Sequence, residues 1–286
     1  MPVLSKPFIP VPPPPALVEG SIFNDTRRKL WRAICHVHDI SYFFTQAVKE
    51  AAPRLDKFIP TGEGDYGYQP NVMVPYNATL SLSDAIRNLR SSLDYIPSAM
   101  ARAAGVDDSS ILFPFAETKT QLEQSFNGSA KARRSKAMAE LSGHYPGLAE
   151  LILTEVQPYS AEDGAKITGD LLWRLVTMDN IDKHRVLTPV VQPVTAKHAT
   201  FISPSGATIH LGDVQIIGLF TGKFWALACP EPMKLTEESR LELDFVYGNE
   251  TRLAGQSIFD TLVTGAQTIS DLINEFEKLV AARKAP

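Results

Sequence analysis

The sequence predicts an α+β protein: a helical bundle with a small antiparallel β-sheet and a C-terminal helix. Three observations predict it. Apolar residues recur at spacings of three and four over most of residues 25–190. From about 194 to 253 the texture changes to short β-rich segments separated by turn residues. Helical spacing then returns over 257–283. The order of helices, then strands, then a closing helix suits segregated rather than alternating layers.

Residues 1–20 hold seven of the 21 prolines. Proline lacks an amide donor and fixes φ, so this segment is expected as an extended arm. Residues 25–51 read as the first long helix. Leu30, Ile34, Val37, Ser41, Phe44 and Val48 make one face. Trp31, Cys35, His38 and Tyr42 make a second stripe, which suggests burial on more than one side. Pro53 is expected to end this helix. A strand is expected around Gln69–Tyr76. Ser81 with Asp84 three residues on is an N-cap signature, and Leu82, Ile86, Leu89, Leu93 and Ile96 then share a face up to Pro97, expected to kink or end the helix.

Residues 105–116 read as a loop carrying Phe113-Pro114-Phe115. Helical pieces are expected near 117–126, 130–142 and 146–155. Ser160 with Asp163 signals the start of a helix over 161–187, with Ile167, Leu171, Leu175 and Met178 on one stripe, and Pro189 and Pro193 marking its exit. Strands are expected at 199–202, 208–211, 214–220, 224–228 and 241–247. The expected division is a Pro-rich arm over 1–20, a helical bundle domain over 21–193, and a sheet plus C-terminal helix over 194–286 packed on the bundle as one structural unit.

Composition narrows the function classes. Hydrophobic residues at 44% and charged residues at 21% exclude a disordered or collagen-like chain. A chain of 286 residues can bury a core without staples. The net charge of −4 offers no global field for nucleic acid or membrane, so such a contact must come from a local patch. Cys35 and Cys229 have neither disulfide-framework nor zinc spacing. No run of 18 apolar residues indicates a membrane span, and the N-terminus lacks signal-peptide character. A cytoplasmic protein without membrane contact is expected. No phosphate loop, HExxH or GxSxG occurs, and no cofactor is expected. His36 and His38 sit on one helix, where residues two apart point about 200° from each other, so no metal site is expected there.

One stretch stands out, running from Leu172 to Arg185. Helical spacing puts Trp173, Thr177, Asn180 and His184 on one side, with Met178, Asp182 and Arg185 on an adjacent strip. Histidine moves protons near neutral pH, and arginine holds phosphate through paired hydrogen bonds. A second group, Arg87, Arg90 and Asp94, shares a helix face. The catalytic candidates are therefore His184 as general acid/base with Asp94 and Asp182 positioning it. The substrate-binding candidates are Arg185, Lys183, Asn180 and Arg90. Lys131, Arg133, Arg134 and Lys136 form a basic run, read as a solvated face or a phosphate contact. The competing reading of the main cluster is structural: cations are favoured at helix C-termini by the macrodipole, and a polar network can lock a helix crossing.

Residues 88–94 (NLRSSLD), Phe113-Pro114, Gln157-Pro158-Tyr159, Leu172-Trp173 and Asn180–Arg185 (NIDKHR) occur in that order. This series resembles a broad group of uncharacterised bacterial and phage-associated proteins and covers about residues 80–190. The group is in turn reminiscent of HEPN domains, helical bundles of which many are RNases that use an Arg and a His four to six residues apart. Here Arg174 lies ten residues before His184, and the only formal match is Arg32 with His38. The group carries no activity over to this chain, and the Arg–His spacing departs from the HEPN pattern; the Asp/His/Arg cluster itself gives the expectation of a metal-independent, RNase-like protein acting on nucleic acid, with RNA as the expected partner. The alternative is a non-enzymatic binding or assembly protein that meets a protein partner through the Pro-rich arm. The chain is long enough to be a monomer, and bundles of this kind often pair, so monomer and homodimer both stand as expectations.

Overall fold

A computed structural model describes residues 3–4, 10–11, 13–51, 58–60, 66–68, 74–128, 132–182, 189–215, 234–236, 240–248 and 251–284. Several expectations lie outside these residues: the helix stop at Pro53, most of the strand from Gln69, Lys131, Lys183, His184, Arg185, all but the first two residues of the strand expected at 214–220 (those two continue the strand expected at 208–211, as one strand over Thr208–Gln215), the strand at 224–228, and Cys229. The fold class is α+β, as the sequence predicts. The chain divides into two compact units, each assembled from three separated segments.

The first unit takes in Met1–Pro10, His38–Ser81 and Leu187–Asp260. Its sheet runs in the order β1 (Val3–Leu4), β7 (Arg240–Tyr247), β4 (Pro189–Ile202) and β5 (Thr208–Gln215), with β6 (Lys234–Leu235) pairing to the end of β4. All these pairings are antiparallel except that of β1 with β7. The prolines expected to precede the sheet lie within it. Pro189 pairs with Tyr247 and Pro193 with Leu243, while the β5 partners of β4 begin only at Thr195. Among the described residues, β4 thus has a single neighbour where its prolines fall, and a missing amide costs least there. Leu243, Phe245 and Tyr247 are buried, and the Phe44 ring stacks on Phe245 with Phe259 edge-on to both. A separate hairpin pairs β2 (Phe58–Pro60) with β3 (Tyr66–Tyr68).

The second unit takes in Val11–Val37, Leu82–Val186 and Thr261–Pro286, and is helical. Helix α1 (Asn24–Ala51) and helix α2 (Tyr76–Ala104) both begin in one unit and end in the other. The predicted face of α2 holds: Leu82, Ile86, Leu89, Leu93 and Ile96 are all buried. Its ends differ from expectation. The helix starts at Tyr76 directly after Pro75, so Ser81 is a buried interior residue rather than a cap. It also runs through Pro97. Losing one backbone bond costs about 3 kcal/mol, and the buried Leu93, Ile96, Met100 and Ala101 on either side outweigh that. On α1 the first stripe is buried at Leu30, Val37, Ser41, Phe44 and Val48, but Tyr42 of the second is 48% exposed.

Short helices α3 (Lys119–Gln124), α4 (Arg133–His144) and α5 (Leu148–Glu150) follow, the last running into a π-helical turn over Leu151–Val156. Ser160 does cap, but it caps a 3₁₀ turn over Ala161–Asp163, accepting from the Glu162 amide. Helix α6 begins later, at Ile167, and is described over Ile167–Asp182, up to the last described residue before Pro189. Ile167, expected on its core stripe, is 89% exposed. Helix α7 (Ile258–Lys284) completes the unit. It meets α1 through Arg27, whose guanidinium donates to both carboxylate oxygens of Glu277, and it meets the loop after α2 through Phe276 against Phe113. The Tyr145 hydroxyl donates to the Met100 carbonyl and ties the end of α4 to α2.

Candidate functional site

The predicted polar faces of α2 and α6 meet in the helical unit. Ser83 donates to the Asp182 carboxylate at 2.6 Å, and Arg87 Nη2 lies 3.6 Å from its other oxygen. Further along the same two helices, Arg90, Asp94, Trp173, Thr177 and Asn180 line a cleft of about 710 Å³. Its remaining walls come from the loop carrying Phe113-Pro114-Phe115, from Gln121 and Ser125 on and just after α3 (Lys119–Gln124), and from Arg134, Ser135 and Met138 on α4. Exposed Arg87, Arg134 and Asn180 stand at the solvent side. A volume of this order suits a small molecule or a few units of a polymer.

Arg90 is the most constrained group in the cleft. Its Nε donates to Asp94 Oδ2 at 2.8 Å, one helical turn away. Its guanidinium carbon lies 4.5 Å from the centre of the Phe115 ring, a cation–π arrangement. Nη1 is buried and has no hydrogen-bond partner among the described residues. Asp94 is held in turn: its other oxygen accepts from the Phe113 amide at 3.0 Å, which fixes the aromatic loop to α2. Burial pushes the Asp94 carboxyl above its usual range. Arg90 and the Phe113 amide pull it back, and the nearby Asp179 charge pushes it up again, leaving a net upward shift. Asp179 is itself buried, at 3% exposure, on the cleft wall.

The candidates divide as follows. Arg90, Asp94 and Asn180 come together around the cleft, and Asp182 is bound by Ser83 and Arg87 of α2. Lys183, His184 and Arg185 lie outside the described residues. Within the basic run, Arg134 faces the cleft, whereas Arg133 turns away to Asp107 and Ser109. Sequence reasoning did not assign a site role to Asp179 or to Phe115. The signal for Phe115 was the Phe-Pro-Phe loop itself, but which arginine its ring would meet depends on a contact 25 residues away. Among the described residues, no group of three or more His, Cys, Asp or Glu side chains converges as a metal site. No described helix is long and apolar enough to cross a membrane. A scan against protein-family models and searches of curated proteins and solved structures each found no match.

Three arginines, Arg87, Arg90 and Arg134, and three carboxylates, Asp94, Glu117 and Asp179, line the cleft, so its formal charge balances and an anion contact must come from the arginines locally. Arginine offers up to five donors in a fixed fork. Arg90 spends one on Asp94, and its orientation is set by the carboxylate and by Phe115, so little rotamer freedom remains to be lost on binding. Arg87 and Arg134 add positive charge at the rim, and Asn180 and Gln121 add amide groups with both donors and acceptors.

Proposed function

We propose that the protein acts on RNA through this cleft. In this reading Arg90 grips a phosphate, with Arg87, Arg134 and Asn180 contributing from the rim. His184, with Lys183 and Arg185, supplies proton transfer and further phosphate contacts without a metal. The observation that carries the reading is an open cleft lined by Arg87, Arg90, Arg134 and Asn180, with Arg90 Nη1, sealed from solvent behind its wall, left without a partner among the described residues. A buried charged donor left unpaired is costly, and a cluster that served only to lock helices would have its donors matched.

The second reading, a structural network in a binding or assembly protein, is favoured by a specific set of bonds. Ser83 and Arg87 secure Asp182, while Arg90 and the Phe113 amide secure Asp94. These bonds tie α6 and the aromatic loop to α2 whether or not a ligand binds.

Thermal unfolding and cleavage of a mixed-sequence RNA under a metal chelator, measured on wild type, Arg90→Gln and His184→Ala, separate the two. Under the RNA reading, His184→Ala keeps its melting temperature and loses cleavage, and Arg90→Gln loses RNA affinity. If wild type neither binds nor cuts RNA and the variants only melt lower, the cluster is structural.

A further inference from the structure

A second concavity lies on an adjoining face of α2 in the same helical unit. It is a groove of about 690 Å³, walled by Pro14, Pro15 and Leu17 of the arm and floored by Trp31 of α1 and Tyr95 of α2. The arm is pinned where the groove needs a wall. The Asn24 side chain at the start of α1 exchanges hydrogen bonds with both the amide and the carbonyl of Val18. Three cations surround the groove. Arg28 is paired to Asp25 at 2.8 Å, Lys29 Nζ sits 5.8 Å over the Tyr95 ring, and Arg32 is exposed. Three cations against one acid leave a local charge of +2 in a chain whose net charge is −4.

We infer that this groove is a second nucleotide site, in which an aromatic floor of Trp31 and Tyr95 receives a base while Lys29 and Arg32 hold its phosphate. Aromatic side chains interleaved with cations are what single-stranded nucleic acid requires, because every base has a stackable face and every linkage a charge. The placement supports this use. Asp94 lines the cleft and the next residue, Tyr95, lines the groove, and successive helical residues point about 100° apart. A strand leaving the cleft therefore has a second foothold on the adjoining face of the same helix. This inference rests on the RNA reading of the cleft and adds to it.

The test is fluorescence anisotropy of a labelled 12-nucleotide single-stranded RNA over a range of salt, with wild type, Arg32→Glu, Trp31→Leu and Arg90→Gln. Free uridine monophosphate and an acidic proline-containing peptide serve as competitors. Circular dichroism melting checks each variant's fold. Arg32→Glu is expected to weaken RNA binding roughly tenfold and to lower the salt slope by about 1, while melting as wild type does. Trp31→Leu is expected to weaken binding with no change in slope. If the Arg32 and Trp31 variants bind as wild type does while Arg90→Gln does not, the groove assignment is wrong and the cleft reading stands. If wild type has no affinity for RNA at all, both fall. An acidic peptide that binds wild type but not Arg32→Glu, where RNA does not compete, makes the groove a protein-docking site and overturns the inference.

Discussion

Replacing Gly169 with alanine should destabilise the protein, although helix propensity alone predicts the reverse. Gly169 sits in the first turn of α6 and is buried. A Cβ built there would fall onto the carbonyl oxygens of Val156 and Gln157 and within 2.7 Å of the Gln157 carbonyl carbon. These are backbone atoms at the end of the π-helical turn. Gln157 is already held at a left-handed φ of 52°, its amide bonded to Ile152 and its side chain accepting from the Lys166 amide. None of them can swing aside as a side-chain tip can. Overpacking of this kind costs about 3 kcal/mol. Alanine returns about 1 kcal/mol of helix propensity, so the net loss is about 2 kcal/mol. For a chain of 286 residues that lowers the melting temperature by roughly 3 °C. Circular dichroism melting of wild type and Gly169→Ala measures it. Gly265→Ala is the control: its Cβ would meet the Cδ1 of Leu175 at 2.7 Å, a flexible tip, and the loss should be smaller. A Gly169→Ala protein that melts at or above the wild-type temperature would refute the close-approach argument.

Two further outcomes concern single interactions. Arg27 and Ser21 hold the Glu277 carboxyl below its ordinary value of 4.5, so the folded state favours the charged form. The resulting stability is present above that ordinary value and is lost as pH falls through the lower folded value. Glu277→Gln should therefore be less stable than wild type at pH 7, by under about 1 kcal/mol because the pair is partly solvated. The gap should close in strong acid, as followed by urea unfolding at several pH values. A pH-independent gap would show that packing, not the ion pair, is responsible. Tyr145→Phe removes the buried bond to the Met100 carbonyl and should cost about 1 kcal/mol in the same assay. An unchanged midpoint would mean that this bond adds nothing to the tie between α4 and α2.

Much of the local architecture is legible in the chain itself. The spacing of Leu82, Ile86, Leu89, Leu93 and Ile96 identifies the buried face of α2, and the β-rich run at 241–247 between turn residues identifies β7, because both are local properties of the chain. The same periodicity puts Arg87, Arg90 and Asp94 on one face and Trp173, Thr177 and Asn180 on another, so the Arg90–Asp94 pair was readable at a spacing of four. Signals at element ends were less informative. Ser81 had the chemistry of a cap but lies inside a helix, and Ser160 caps only a 3₁₀ turn, since capping residues state what an end would need and not where packing puts it. Pro97 had the chemistry of a helix breaker, yet burial on both sides carries the helix through it. Tertiary structure alone decided that the face of α2 meets that of α6, that Phe115 lies against Arg90, that Arg134 rather than Arg133 joins the cleft, and that the arm walls a groove beside Trp31 and Tyr95. Each of these joins residues distant in sequence. Such contacts are set by how buried surfaces fit together, and no local pattern encodes that fit.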